Sequence, residues 1–124
     1  MTKRRAENQP AGRTASEAVR EFEGKDLGAG QSLILVNVPT GGGPSLHRHP
    51  YEEIFVVHAG NGIITIGETS FDAGPGDVAV APSGTPHRFV NSGSERLQLT
   101  AIHNALQFVT EWLQQPEPSW VTRR

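Results

Sequence analysis

The sequence predicts an all-β domain, an antiparallel barrel or sandwich. Gly (14) and Pro (9) together approach a fifth of the 124 residues, which would break helices too often for a bundle. Short apolar runs rich in β-branched residues recur along the chain, with turn-forming residues between them at close intervals. Hydrophobic residues make up 35% of the chain, so the core must be compact, and the length suits one domain.

Residues 1–20 are polar, charged and without a period, and they read as a flexible or loosely attached arm. The barrel is expected over 21–103. Leu33 to Val38 is a first strand, stopped by Pro39 and Gly41-Gly42-Gly43. Ser45 to His49 is a second, broken at Pro50. Glu53 to His58 follows and ends at Ala59-Gly60-Asn61-Gly62. Ile63 to Ile66 and Thr69 to Phe71 make a hairpin around Gly67-Glu68. Val78 to Ala81, His87 to Val90 and Leu97 to His103 complete the set, with Asn91 to Ser94 as the last hairpin loop. Residues 104–124 read differently. Ala105, Phe108, Val109 and Trp112 follow helical spacing behind Asn104 as N-cap, and Pro116 and Pro118 end the pattern. A short C-terminal α-helix packed on the barrel through Trp112 and Leu113 is expected, with Trp120 exposed or meeting a second subunit.

The net charge of −2, with basic residues clustered only at Lys3-Arg4-Arg5 and Arg123-Arg124, argues against nucleic-acid or anionic-membrane partners. With no cysteine, disulfides and thiolate chemistry are excluded. The first residues lack the apolar stretch of a secretory signal, and no apolar run reaches membrane-spanning length. A soluble cytoplasmic protein is the expectation.

His47 and His49 stand two apart, so on a strand both imidazoles face one side. Glu53 shares their parity beyond the break at Pro50-Tyr51. His87 follows the Pro82 to Pro86 loop, and a closed barrel can set its strand beside the others. Three imidazoles and a carboxylate without sulfur suit one divalent transition metal: Fe, Mn, Ni, Co, Cu or Zn.

These residues sit in two motifs. Gly41, His47-Arg48-His49, Glu53 and Gly60 form the first. Gly76, Pro82-Ser83-Gly84, His87 and Asn91 form the second. In both, the sequence resembles the cupin superfamily, with the compact spacing of small single-domain members. The resemblance implies a double-stranded β-helix, or jelly-roll barrel, with His47, His49, Glu53 and His87 as metal ligands. It also implies a range of chemistries: dioxygenase, decarboxylase, isomerase, cyclase or lyase. A dioxygenase-like enzyme acting on a small oxygenated or anionic molecule leads. An isomerase, lyase or decarboxylase, or a non-catalytic ligand-binding barrel, is the alternative.

Other residues have competing readings. Glu52 has the wrong parity for the site and reads as a rim acid. His58 should face outward. His103 either points inward with Leu99 and Ala101, to support a ligand or transfer a proton, or begins the chain's exit. Tyr51 either orients a substrate or packs at the rim. Arg48 should face away and form a salt bridge. Phe55, Val57, Ile64, Ile66, Val80 and Phe89 read as core, with Phe55, Val57 and Phe89 also candidates to wall a substrate pocket. A barrel this small has exposed sheet edges, so a homodimer is expected, through the N-terminal strand or arm.

Overall fold

The computed structural model describes residues 18–114. The first strand, β1 (Ala18–Phe22), precedes a single helical turn, α1 (Gly24–Leu27), and then β2 (Ser32–Val38). A two-residue strand, β3 (His47–Arg48), leads to β4 (Glu53–Ala59), β5 (Gly62–Ile66) and β6 (Thr69–Ala73). Next come β7 (Val78–Ala81), β8 (His87–Asn91), β9 (Leu97–His103) and a second two-residue strand, β10 (Glu111–Trp112). They form two five-stranded antiparallel sheets, ordered β1-β2-β9-β4-β7 and β10-β3-β8-β5-β6. Consecutive strands repeatedly alternate between sheets, which is how the chain winds the expected jelly roll.

Strand alternation builds the core. Phe55 and Val57 on β4, Leu97, Leu99 and Ala101 on β9, Phe89 on β8, Ile64 on β5 and Val36 and Val38 on β2 are buried between the sheets. Residues of intervening parity face out, as His58 does, its Nε2 2.7 Å from Thr100 Oγ1. The β5–β6 hairpin turns on Gly67-Glu68, with Ile66 opposite Thr69 and Gly67 at φ 62°. Gly in that first position is the type II′ pattern, whose twist suits a hairpin. The Asn91 side chain staples two loops. Its Nδ2 donates to the Val38 and Glu95 carbonyls, and its Oδ1 accepts from Gly93 N–H.

Three expectations need correction. The C-terminal helix does not form over the described residues. After β9 the chain bends from Asn104 to Gln107, runs extended, and pairs Glu111 with Arg48 and Trp112 with His47. Its backbone groups find tertiary partners instead. Leu106 C=O accepts from Lys25 N–H, Phe108 N–H donates to Glu23 Oε2, and Leu113 N–H donates to Leu46 C=O. Val109 and Thr110 are β-branched, which favours this path over a helix. Trp112 is half-buried and Leu113 exposed; Trp120 lies outside the described residues. The second correction is Val80, which is 47% exposed. Phe55 faces inward opposite Ala79, so parity puts Ala79 and Ala81 inside and turns Val78 and Val80 out. The third is the arm: Ala18 to Arg20 belong to β1, paired with Asn37 to Leu35, and Val19 is buried. Residues 1–17 lie outside the described residues.

Candidate metal centre

Register brings the site together. His47 on β3 lies directly opposite His87 on β8 in one sheet. Glu53 on β4 lies opposite His103 on β9 in the other. His49, just beyond β3, completes the cluster. His47, His49, Glu53, His87 and His103 are all buried, and one donor atom from each of His47, His49, Glu53 and His87 lies within 4.8 Å of the others. Glu52 is exposed, as its parity requires, and Arg48 turns out to pair with Glu111 at 2.8 Å.

The proton positions follow from the partners. His47 Nδ1 is 2.7 Å from the Ser45 carbonyl, His49 Nδ1 2.8 Å from the Val109 carbonyl and His87 Nδ1 2.9 Å from the Thr85 carbonyl. A carbonyl can only accept, so each ring carries its proton on Nδ1 and leaves Nε2 bare. Yet His87 Nε2 stands 2.9 Å from Glu53 Oε1, in hydrogen-bond geometry if that nitrogen carries a proton, and His49 Nε2 lies 3.0 Å from the same oxygen with no hydrogen-bond partner. In neutral rings these contacts set lone pair against lone pair. A proton on one ring would relieve one of them, whereas a cation among the donors relieves them all. Two ligand atoms each about 2.1 Å from an ion, at right angles, are roughly 3 Å apart. The residues present therefore fit one divalent metal, and the His/Glu group is able to hold it.

Charge supports the same arrangement. Burial lowers the His47 pKa to about 4, the neighbouring His87 and His49 adding to the effect, so this ring is neutral near pH 7. Burial alone would raise Glu53, but His103 beside its Oε2, foremost among the neighbouring groups, holds it well below the usual carboxylate range. An ionised carboxylate and a neutral His47 ring are states that suit a metal.

His103 points inward and is buried. Its Nδ1 is 2.7 Å from the Tyr51 hydroxyl and its Nε2 3.1 Å from Glu53 Oε2. Tyr51 stacks on His49 at 5.0 Å and 7° between planes, and its hydroxyl accepts from Val109 N–H at 3.2 Å. Burial pushes the Tyr51 phenol up to about 12, so it keeps its proton. Sequence reasoning missed the stretch from Phe108 to Trp112, read as helix. Val109 holds both His49 and Tyr51, Phe108 meets the His103 ring edge-on, and Trp112 packs on His47. The adjacent β-branched pair and flanking aromatics were the available signal.

The cluster opens into a cavity of about 90 Å³, lined among others by Ile34, Val36, Phe89, Phe108 and Trp112. Of the pocket candidates, Phe89 lines it, whereas Phe55 and Val57 belong to the core away from its wall.

The profile of the Cupin domain family matches residues 34–103. An uncharacterized protein of Methanocaldococcus jannaschii is 36% identical over 73 residues, 58% of each chain. An oxalate decarboxylase of Bacillus subtilis superposes with a TM-score of 0.78 at 22% identity, covering 89% of this chain and 31% of that one. That enzyme carries Mn(II) centres. An oxalate oxidase in complex with the substrate analogue glycolate gives 0.71 at 21% identity, covering 85% and 59%. At such identities the solved structures establish the fold. The chain spans 58% of the curated relative and about a third of the decarboxylase.

Proposed function

The chain belongs to the cupin family, and from that premise we propose that it is a metal-dependent enzyme of dioxygenase type, with His47, His49, Glu53 and His87 holding one divalent transition metal. The observation that carries the reading is the gathering of four buried donor atoms within 4.8 Å of one another, among them His49 Nε2, which has no hydrogen-bond partner. The bound ion supplies Lewis acidity and places for small oxygen ligands. The chain supplies the rest. Ser45, Thr85 and Val109 carbonyls hold the three rings in the ligating tautomer. Ile34, Val36, Phe89, Phe108 and Trp112 make most of the wall before them apolar, with Glu21 and Thr110 as polar members of the lining.

The pocket before the cluster is small, about 90 Å³ and open to solvent, so a short diketone or hydroxy acid is the first substrate class to test, ahead of a catechol. Reconstitution with Fe(II) under anaerobic conditions, followed by O2 uptake against diketones, hydroxy acids and catechols, tests this. Uptake with the short substrates, lost in His87→Ala, is expected. No uptake with any, together with turnover by the Mn or Ni form, would replace the dioxygenase by a decarboxylase, isomerase or lyase. A homodimer is part of the proposal. Strands β1 and β7 edge the first sheet, and Val78 and Val80 on β7 are exposed. Sedimentation showing only monomer at micromolar concentration would refute it.

A further inference from the structure

The fourth buried imidazole differs from the three proposed ligands in where its proton must sit. His47, His49 and His87 each set Nδ1 against a carbonyl, which can only accept; at His49 the Thr110 hydroxyl lies farther off, at 3.3 Å against 2.8 Å for the Val109 carbonyl. His103 sets Nδ1 against a hydroxyl, which can also donate. Val109 N–H already donates to that hydroxyl. The phenol proton then needs an acceptor, and among the described residues the partner it meets is His103 Nδ1, at 2.7 Å. A ring that accepts at Nδ1 carries its own proton on Nε2. That nitrogen lies 3.1 Å from Glu53 Oε2. It is buried without a hydrogen-bond partner, as is His49 Nε2, so the assignment of its proton rests on the Nδ1 side, and an N–H there lies against the carboxylate without being aligned to it. The two Glu53 oxygens are thus distinguished. Oε1 meets the bare nitrogens of His49 and His87, and Oε2 meets an N–H.

We propose that Tyr51 locks His103 in the Nε2–H tautomer, making His103 a positioning residue for Glu53 Oε2 rather than a further metal ligand, so that Glu53 turns only Oε1 toward the ion. The inference deepens the metal reading and rests on it for the ion's side. The state of His103 itself needs no metal. His103 stands outside the group of four donors, and a bare Nε2 beside Glu53 Oε2 would make it available as a further imidazole ligand. An N–H instead keeps the ring out and occupies the oxygen that would otherwise swing toward the ion.

Long-range ¹H–¹⁵N correlation spectra of the ¹⁵N-histidine-labelled full chain, metal-free and mildly alkaline, read each tautomer directly. His47, His49 and His87 should appear as Nδ1–H rings and His103 as an Nε2–H ring, with single His→Gln variants giving the assignments. In Tyr51→Phe the His103 signal should lose its Nε2–H character. A second readout counts imidazoles on bound Cu(II) by electron spin-echo modulation. Three are expected in the native chain and in His103→Gln, whose amide keeps an N–H donor, and four in Tyr51→Phe. An Nδ1–H tautomer at His103 in the native chain would overturn the proposal, as would four imidazoles on its copper or an unaltered count in Tyr51→Phe. If the native chain takes up no ion, the metal reading fails, while the tautomer spectrum still decides the state of His103.

Discussion

At the scale of single residues, Glu53 Oε1 stands against two imidazole nitrogens, and the proposed ion would ease that crowding. Glu53→Gln separates the metal-free from the metal-bound condition. With its amide nitrogen in place of Oε1, Gln donates toward His49 and His87 Nε2, and its carbonyl accepts from His103. Each hydrogen bond gained contributes about 1 kcal/mol. The metal-free variant should therefore melt above the metal-free native chain, yet bind metal far more weakly. The affinity loss should exceed the roughly 10–100-fold that follows removal of a hydrogen-bond partner behind a ligand. Calorimetry with and without chelator measures both, and a metal-free variant less stable than native would contradict the proton assignment. His47 gives a pH dependence. Its folded pKa is depressed from 6.5 to about 4, so between those values the unfolded chain binds the proton and the folded chain does not. The contribution is full above pH 6.5 and lost as pH falls through 4, about 3 kcal/mol in all. Urea titrations of the metal-free protein across that window should show the decline, and a flat profile would exclude a buried neutral ring.

At the scale of elements, turns and short strands aim the ligands. Gly60 ends β4 at φ 81°, and a Cβ there would collide with the Arg96 carbonyl oxygen. Gly60→Ala combines a left-handed backbone with a clash against main chain, and should cost about 2 kcal/mol or more by denaturant titration. A cost within a few tenths would mean the turn adjusts freely. The alternation of β4, β8 and β9 was legible from sequence, because one face of each strand is buried and a period of two is then imposed. Hence the inward set Glu53, Phe55 and Val57, the opposite parity of Glu52 and His58, and the meeting of His47, His49, Glu53 and His87 could all be read. Two kinds of feature could not. Val78 and Val80 are apolar but lie outward on an edge strand, so hydrophobicity alone misassigned Val80. Residues 104–114 carry spacing that fits a helix as well as a segment set across the site. Tertiary partners decided between them, through Glu23, Lys25, Leu46, His49 and Tyr51, and none is local in sequence.

At the scale of the whole molecule, the proposed ligands join two sheets that otherwise meet through an apolar core. Glu53 comes from one sheet, His47 and His87 from the other, and His49 from the chain between β3 and β4. An ion held by all four is a cross-link between the layers, formed only when both are folded and in register. Its binding energy therefore adds to global stability rather than to one loop. Free metal at a hundred times its dissociation constant should stabilise the chain by about 2.7 kcal/mol. For a domain of this length, that corresponds to a rise in melting temperature of roughly 10 °C. Chelation should return the transition to its lower value while keeping it single, because both sheets lose the same cross-link. In His47→Ala, which removes a ligand from one sheet, the metal-dependent shift should collapse. A melting temperature indifferent to chelator in the metal-loaded native chain would mean that the four groups do not share an ion across the barrel.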